Sequence, residues 1–189
     1  MKILLYGGSA CGKSTFAESI LLSMPEPRVY FATMRPWSKF DLERVERHRR
    51  LRKDKGFGTI ERYRDIEAAE LGEGSILLED LCNLVSNEMF DDDGNYIECY
   101  EKVERGLASI FERCENIVLV TNDVGADGSI YSEYTQSYIH TLGRLNIFAA
   151  RSCDMVIECT AGMPAVIKGD ISLLDRSLSE RVVDMVRSA

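Results

Sequence analysis

Eight residues near the start of the chain have the types and spacing of a phosphate-binding loop. Residues 7–14 read Gly-Gly-Ser-Ala-Cys-Gly-Lys-Ser, which completes the pattern Gly-x-x-x-x-Gly-Lys-Ser. In such a loop the glycines let successive backbone N–H groups point at one phosphate chain, beside the positive end of the following helix. We expect the Lys13 ammonium to reach the β- and γ-phosphates, and the Ser14 hydroxyl to hold the magnesium ion that bridges them.

The residues on either side of this loop support the interpretation. Residues 2–6 form an apolar run that is typical of a buried strand, and residues 14–22 carry apolar side chains at helical spacing. A strand, a glycine-rich turn and a helix in this order form the context that a working phosphate loop requires. The alternative, a glycine-rich turn without a ligand, is therefore disfavoured.

The composition predicts one compact domain without a nucleic-acid or membrane surface. The chain has 189 residues, of which 45% are hydrophobic, and a net charge of −8. That length suffices for a sizeable core, and the negative charge argues against binding to nucleic acid, which requires clustered Lys and Arg. The sequence contains neither a secretory signal nor an apolar run long enough to cross a bilayer. We therefore expect a cytoplasmic protein with no stable membrane insertion.

The six cysteines predict reduced, mostly buried thiols. They show neither C-x-x-C spacing nor a plausible disulfide ladder. Cys11 is the exception, because it lies inside the phosphate loop, and we expect its alkylation to block nucleotide binding.

Strand-like runs alternate with helical ones along the chain, which predicts crossover connections and a mainly parallel sheet. The strands are predicted at residues 2–6, 28–33, 75–79, 116–122 and 154–160. The helices are predicted at residues 13–24, 39–52, 81–89, 96–114 and 131–151, with a C-terminal helix at about 171–189. The fold class is thus α/β, a P-loop NTPase fold of the RecA-like type, in a single domain over residues 1–189.

Polar residues at the predicted strand ends extend the candidate site, because open α/β sheets bind ligands at the carboxyl ends of their strands. Thr33, Glu79 and Asn122 each end a predicted strand. An acidic residue such as Glu79 could orient magnesium or its waters. A lone glutamate at a strand end can also be a solvated cap, but a phosphate loop on the neighbouring strand favours the functional interpretation.

The most basic stretch of this acidic chain, residues 44–53, contains His48, one of its two histidines. Its charges could simply be the solvated face of a helix. Alternatively, its cations could bind the phosphates of a second nucleotide while a neutral imidazole attacks phosphorus. Cations around the imidazole would lower its pKa and keep it neutral near pH 7. The spacing alone leaves both possibilities open.

The sequence resembles the bifunctional adenosylcobinamide kinase/adenosylcobinamide-phosphate guanylyltransferases of cobalamin biosynthesis, from Met1 to about Gly169. The order and spacing of the matching blocks are more specific than the phosphate loop alone. Those blocks are residues 7–14, 30–33, 44–48, 76–79, 118–125, 143–146, 162–164 and 167–169.

The resemblance implies two reactions. The enzyme first phosphorylates adenosylcobinamide with ATP or GTP, and then transfers GMP from GTP to adenosylcobinamide phosphate through a guanylylated histidine, giving adenosylcobinamide-GDP. His48 falls on the position of that histidine, and Lys13 and Glu79 complete the expected catalytic set, with Ser14 and Glu79 expected to hold Mg²⁺. A segment that follows the histidine in the family matches residues 57–61 and adds Glu61. A homotrimer is also implied.

The full set of expected nucleotide-binding residues combines the loop, the strand ends and the region around His48. It comprises Gly7, Gly8, Ser9, Ala10, Cys11, Gly12, Lys13, Ser14, Thr15, Thr33, Arg49, Arg52, Glu61, Glu79 and Asn122.

Alternative functions remain open at this point. A P-loop small-molecule kinase of this fold could have lost the guanylyltransferase activity, and a different kinase would not need His48. A non-catalytic or motor-like nucleotide-binding protein would use hydrolysis to switch partners, although the chain lacks obvious partner-binding extensions. We interpret His140 as structural, and residues 91–95 as a solvated turn, because they lack the spacing of a calcium loop.

Overall fold

The computed structural model describes residues 1–36, 38–125 and 128–184. Within these ranges, the side chains of some residues lie outside the description. They are Phe40, Asp41, Arg44, Arg47, His48, Leu51, Arg52, Asp54 and Asp184.

Strands and helices alternate through the first two thirds of the described chain. The strands are β1 (Lys2–Tyr6), β2 (Arg28–Ala32), β3 (Gly58–Glu61), β4 (Ser75–Glu79), β5 (Asn116–Val120), β6 (Met155–Thr160), β7 (Met163–Lys168) and β8 (Val183–Asp184). The α-helices are α1 (Lys13–Ser23), α2 (Lys39–Arg52), α3 (Leu81–Met89), α4 (Tyr100–Arg113), α5 (Glu133–Ser152) and α6 (Arg176–Ser179). Short 3-10 helices lie at Lys53–Lys55, Ile66–Ala68 and Ile171–Leu173.

The eight strands of the described residues form one mainly parallel sheet in the order β3-β2-β4-β5-β1-β6-β7-β8. The β6–β7 pair is antiparallel and the other pairs are parallel. Strand β1, which leads into the phosphate loop, lies between β5 and β6, and β5 separates it from β4. This is the RecA-like P-loop NTPase arrangement, so the predicted fold class is confirmed. The expectation that Glu79 lies on the strand next to the loop's strand is wrong, because β5 intervenes.

The apolar strands are buried because helices cover both faces of the sheet. On one face, β-strand residues such as Leu4, Leu78 and Leu119 pack against α3, α4 and α5. On the other face, residues such as Leu5 and Leu77 pack against α1. Strands buried on both sides read as continuous apolar runs, which is why the sequence reveals them.

Three strands are missing from the sequence-based prediction. Strand β3 has four residues, Gly-Thr-Ile-Glu, and stands at the sheet edge with only Ile60 partly buried, so it lacks an apolar run. Strand β7 contains Pro164 and follows β6 after a two-residue turn, and β8 has only two residues. Short edge elements give little periodicity to detect.

The predicted C-terminal helix is wrong for residues 171–184. This segment instead forms a 3-10 helix, the four-residue α6 and β8. Two aspartates divide it, because Asp170 accepts a hydrogen bond from the Ser172 N–H and Asp175 accepts one from the Ser177 N–H. Such local side-chain caps start short helices and compete with one continuous helix. The rest of the predicted helix, 185–189, lies outside the described residues.

A second helix boundary also differs from the prediction. Helix α4 begins at Tyr100 instead of residue 96, because Tyr96 forms an isolated antiparallel bridge with Phe90. Over the described part of the chain, none of the helices combines the length and apolar character needed to span a bilayer.

Candidate functional site

The phosphate loop, residues 7–12, connects β1 to α1 and packs closely against β6. Gly7 has a φ of +146°, and a Cβ atom there would lie 2.3 Å from the carbonyl oxygen of Cys159. Gly12, with a φ of +92°, directly precedes α1. Only glycine fits the first of these positions, since any side chain would push the loop away from β6.

The Lys13 side chain lies inside this loop. It is only 5% exposed, and its Nζ donates hydrogen bonds to the carbonyl oxygens of Gly7, at 2.8 Å, and Gly8, at 2.6 Å. The ammonium is therefore held where the loop backbone turns around it. A positive charge in this position favours the binding of a phosphate chain.

Ser14 and Glu79 meet at the edge of the sheet. The Ser14 hydroxyl donates a hydrogen bond to Glu79 Oε1, and the Tyr30 hydroxyl donates one to Oε2 at 3.0 Å. Burial raises the pKa of the Glu79 carboxyl group, while the bonds from Ser14 and Tyr30 oppose that rise. The carboxyl group is thus fixed by two hydroxyls at the base of a cleft.

The donor atoms of Ser14 and Glu79 suit a magnesium ion. A hydroxyl oxygen and a carboxylate are the hard oxygen ligands that Mg²⁺ prefers. In the described part of the chain, no group of three or more His, Cys, Asp or Glu residues could hold a metal. A magnesium ion bound by these two residues would therefore take its other ligands from water and from substrate phosphates, as Mg²⁺ commonly does.

An open cleft lies above these residues, at the carboxyl ends of the strands. Its empty space is about 830 Å³, including space open to solvent. The cleft brings together several predicted site residues: Ser9, Ala10, Lys13, Ser14, Glu61, Glu79 and Asn122. Further lining comes from Tyr30, Ala32, Met34, Val45, Tyr63, Asp80, Asn83 and Val120.

Thr33, another predicted site residue, does not line the cleft. It is fully buried, and its hydroxyl donates to the Asp80 carbonyl oxygen at 2.7 Å and accepts from the Asp80 N–H at 2.8 Å. Its own N–H donates to the Glu79 carbonyl oxygen at 3.0 Å. Thr33 therefore fixes the backbone that carries Glu79 and Asp80, two of the three carboxylates that line the cleft.

Asp80 also lines the cleft, but it is not among the site residues predicted from the sequence. Its Oδ1 accepts from the Asn83 N–H at 2.7 Å and so caps α3, and its Oδ2 lies 3.4 Å from the Asn122 Nδ2 donor. The detectable signal is its position, because an Asp directly after a strand and before an apolar helix is typical of an N-cap. Asn122 is in turn contacted by Asn146, whose Nδ2 lies 3.5 Å from the Asn122 carbonyl oxygen.

Two further loop residues face a second cavity. Cys11, Gly12 and Thr15 line it, together with residues from α1, the β6–β7 hairpin and the C-terminal segment. These other lining residues are Phe16, Cys159, Gly162, Pro164 and Arg181. The predicted nucleotide-binding positions 9–15 are thus divided between two cavities, and neither cavity is lined by Gly7 or Gly8.

Arg49 lies outside the main cleft and forms an ion pair with Glu61. Glu61 also accepts a hydrogen bond from the Tyr63 hydroxyl at 3.2 Å. A third cavity, along α2 and β3, is lined by Arg49, Glu61 and Lys53 among others. Glu61 borders both this cavity and the main cleft, and it is paired with Arg49 of α2. It therefore connects the basic helix α2 to the cleft that contains the phosphate loop.

His48 and Arg52 belong to α2, but their side chains lie outside the described part of the structure. Val45 of the same helix lines the main cleft. The nucleophilic role of His48 and the nucleotide contact of Arg52 stay predictions. His140 is exposed on α5.

All six cysteines are free, as predicted, and five of them are buried. Cys11 is the partly exposed one.

The chain is similar to known proteins over most of its length. The family model described as "Cobinamide kinase / cobinamide phosphate guanyltransferase" matches residues 3–167. The bifunctional adenosylcobalamin biosynthesis protein CobU of Escherichia coli (strain K12) is 27% identical, covering 89% of this chain and 100% of that protein. The corresponding CobP of Pseudomonas aeruginosa is 28% identical, covering 90% and 99%. Among solved structures, the P4 protein of bacteriophage phi6 in complex with ADP aligns with a TM-score of 0.41 and 11% identity, covering 86% of this chain and 52% of that one.

Proposed function

The chain belongs to the cobinamide kinase / cobinamide phosphate guanyltransferase family, and from this premise we propose that it catalyses two successive reactions on adenosylcobinamide. The first reaction transfers the γ-phosphoryl group of a nucleoside triphosphate to the acceptor hydroxyl. The second transfers GMP from GTP to the new phosphate, giving adenosylcobinamide-GDP. The observation that carries the proposal is the contact between Ser14 and Glu79 beside the phosphate loop.

In the kinase step, the loop positions the nucleotide and neutralises charge. The backbone N–H groups of residues 8–14 and the Lys13 ammonium hold the β- and γ-phosphates. Ser14 and Glu79 would hold magnesium, which supplies charge neutralisation for the transferring phosphoryl group when bound. The acceptor oxygen forms a bond to the γ-phosphorus while the bond to the β–γ bridging oxygen breaks. Asp80, another carboxylate that lines the cleft, would accept the hydroxyl proton.

In the transferase step, His48 acts as the nucleophile. A neutral imidazole nitrogen bonds to the α-phosphorus of GTP, and pyrophosphate leaves, giving a phosphoramidate. A phosphate oxygen of adenosylcobinamide phosphate then attacks the same phosphorus and releases His48. Arg49 and Lys53, both exposed near His48 in sequence, supply positive charge for the leaving pyrophosphate. Two steps avoid bringing two highly anionic reactants together.

We also propose that the working particle is a cytoplasmic homotrimer. The family resemblance supports this, and the described surface offers apolar side chains that a subunit contact would bury: Ile130 is fully exposed and Met163 is 62% exposed. Light scattering at working concentration should give the mass of three chains. A monomer under these conditions would contradict the proposal.

Labelled GTP tests the proposed function. The protein is incubated with magnesium and GTP labelled on the α-phosphate, denatured, treated with acid or base, and digested for peptide mapping. We expect acid-labile, base-stable label on the peptide that contains His48. The His48→Ala variant should lose both the label and GMP transfer while keeping some kinase activity.

The matched control is His140→Ala, because His140 is the other histidine of the chain and is exposed on α5. This variant should be labelled like the parent protein. Full GMP transfer by His48→Ala would exclude His48 as the nucleophile. Kinase turnover without any label in the parent protein would instead support a small-molecule kinase that has lost the second activity.

A further inference from the structure

Two arginines converge on one carboxylate oxygen beside the main cleft. Arg35 Nη1 lies 2.6 Å from Asp92 Oδ1, and Arg64 Nη1 lies 3.2 Å from the same atom. The two arginine side chains are 29% and 27% exposed, whereas Asp92 is 66% exposed. The two arginine side chains are therefore mostly buried, while the Asp92 carboxylate between them is mostly exposed to solvent.

The Arg64 guanidinium is held in place from behind. Its Nε donates to the Asn87 carbonyl oxygen, and its Nη2 donates to the Phe90 carbonyl oxygen at 2.5 Å. These bonds leave Nη1 directed toward Asp92. A guanidinium with fixed geometry loses little conformational entropy when it binds an anion, so it is suited to bind a ligand.

Each arginine of the pair directly follows a residue that lines the cleft. Arg35 follows Met34 and Arg64 follows Tyr63, and both of these neighbours line the cleft. The charge of Arg35 is close enough to Tyr63 to lower the pKa of its phenol, against the larger raising effects of burial and Glu61. Each arginine is therefore connected by one peptide bond to a residue of the cleft wall, and Arg35 also acts electrostatically on that wall at Tyr63.

We propose that Arg35 and Arg64 form a binding site for the phosphate monoester of the phosphorylated acceptor, with Asp92 holding the site until that phosphate replaces it. The inference rests on the proposed function and names how its second substrate is held. A phosphate monoester carries more negative charge than a carboxylate and offers three oxygens to two guanidinium groups. It can therefore compete with Asp92 for the pair.

The proposed arginine site explains why phosphorylation comes before GMP transfer. The nucleotide phosphates already have the loop N–H groups and Lys13, whereas the acceptor phosphate is formed only in the first reaction. A site that binds the phosphorylated acceptor better than the unphosphorylated one retains the product of the first step as substrate for the second. The anion of Asp92 keeps the arginines paired before that phosphate exists, which limits the binding of other anions.

Binding measurements on two acceptors test the inference. Calorimetric titration compares cobinamide phosphate with cobinamide for the parent protein, Arg35→Gln and Asp92→Asn. Arg35→Gln should weaken the binding of cobinamide phosphate about tenfold or more, because it removes a charge-assisted hydrogen bond. Asp92→Asn should strengthen it, and neither change should alter the binding of cobinamide.

A matched control pair is Arg105→Gln and Glu101→Gln, which make the same charge changes in an exposed ion pair on α4. Neither should alter the preference between the two acceptors. Circular dichroism and thermal melting establish that each variant is folded. The inference would be overturned if Arg35→Gln weakened the binding of both acceptors equally, or if Asp92→Asn bound cobinamide phosphate with unchanged affinity. Either result would leave the proposed function standing. If the parent protein binds neither acceptor, the proposed function fails and the inference fails with it.

Discussion

The Ser14 hydroxyl is hydrogen-bonded to the Glu79 carboxylate, although Glu79 ends β4, which is not a neighbour of β1, the strand that leads through the loop to Ser14. Strand β5 separates β1 from β4, and its C-terminal Val120 lines the cleft between them. The Glu79 carboxylate must therefore reach across β5 to contact Ser14 in α1. This contact joins the phosphate loop to the acidic strand end and creates the oxygen pair that suits magnesium.

Replacing Glu79 by Gln should abolish most kinase activity. The variant keeps the size of the side chain and an oxygen acceptor, but it removes the negative charge that a magnesium ion requires. We expect a fall of about a hundredfold or more in kcat/KM for phosphorylation. Steady-state assays at saturating magnesium measure this, with the exposed Glu112→Gln on α4 as the control. Near-parental kinetics would exclude the assigned role of Glu79.

The same Glu79→Gln variant should become more stable above the ordinary glutamate pKa of 4.5. Because the pKa is raised on folding, the folded chain binds more protons, and the free energy of unfolding falls as the pH rises through the raised value. Below 4.5 the carboxyl group is neutral in both states, and the variant and parent should have similar stabilities. At pH 8 the variant should be more stable than the parent protein. Urea unfolding at both pH values measures the difference, and a variant that is less stable at pH 8 would contradict the sign.

Local patterns in the sequence predict the loop but not the whole site. The phosphate loop is contiguous, and its flanking strand and helix have clear periodicity, so residues 7–14 can be recognised directly. The role of Thr33 depends on the pairing of β2 with β4, which local sequence does not specify. The predicted C-terminal helix failed for a related reason, because its apolar spacing is helical but Asp170 and Asp175 divide the segment. Contacts between distant segments and local helix caps therefore determine features of the structure that hydrophobic periodicity alone does not specify.

The Lys13→Ala variant should lose nucleotide binding and phosphorylation. Removal of the ammonium leaves the β- and γ-phosphates without their nearest cation and also frees the carbonyl oxygens of Gly7 and Gly8. We expect kcat/KM for the kinase reaction to fall about a hundredfold or more. Calorimetric titration with magnesium and ATP checks the binding, and Lys39→Ala, an exposed lysine of α2, serves as the control. Unchanged kinase kinetics would refute the role of the loop.

Alkylation of the native protein should modify Cys11 alone and block nucleotide binding. The other five thiols are buried, and burial raises the pKa of Cys159 to about 11 and of Cys99 and Cys153 to about 12. Few thiolates are therefore available at those positions near pH 8. Mass spectrometry after iodoacetamide treatment should find one adduct, and ATP should slow its formation. Cys11→Ser should be resistant, and modified protein that still binds ATP normally would contradict the prediction.

The two glycines that open the phosphate loop should differ in how strongly a single added methyl group affects stability. At Gly7 the new Cβ would lie 2.3 Å from the Cys159 carbonyl oxygen of β6, at a φ of +146° that side chains rarely adopt. At Gly8 a Cβ would meet no heavy atom within 4 Å. Gly7→Ala should therefore lower the free energy of unfolding by about 1–3 kcal/mol, and Gly8→Ala should change it little.

Urea unfolding of the two variants, followed by titration with ATP and magnesium, separates folding from binding at this loop. Because the clash at Gly7 can be relieved only by moving the loop away from β6, the folded part of the Gly7→Ala population should also bind ATP more weakly. Gly8→Ala leaves the loop in place, so any loss of ATP binding there reports contact between that position and the nucleotide. Equal stability of the two variants would mean that the loop does not pack against Cys159, and the phosphate site would then need a different backbone path from β1 to α1.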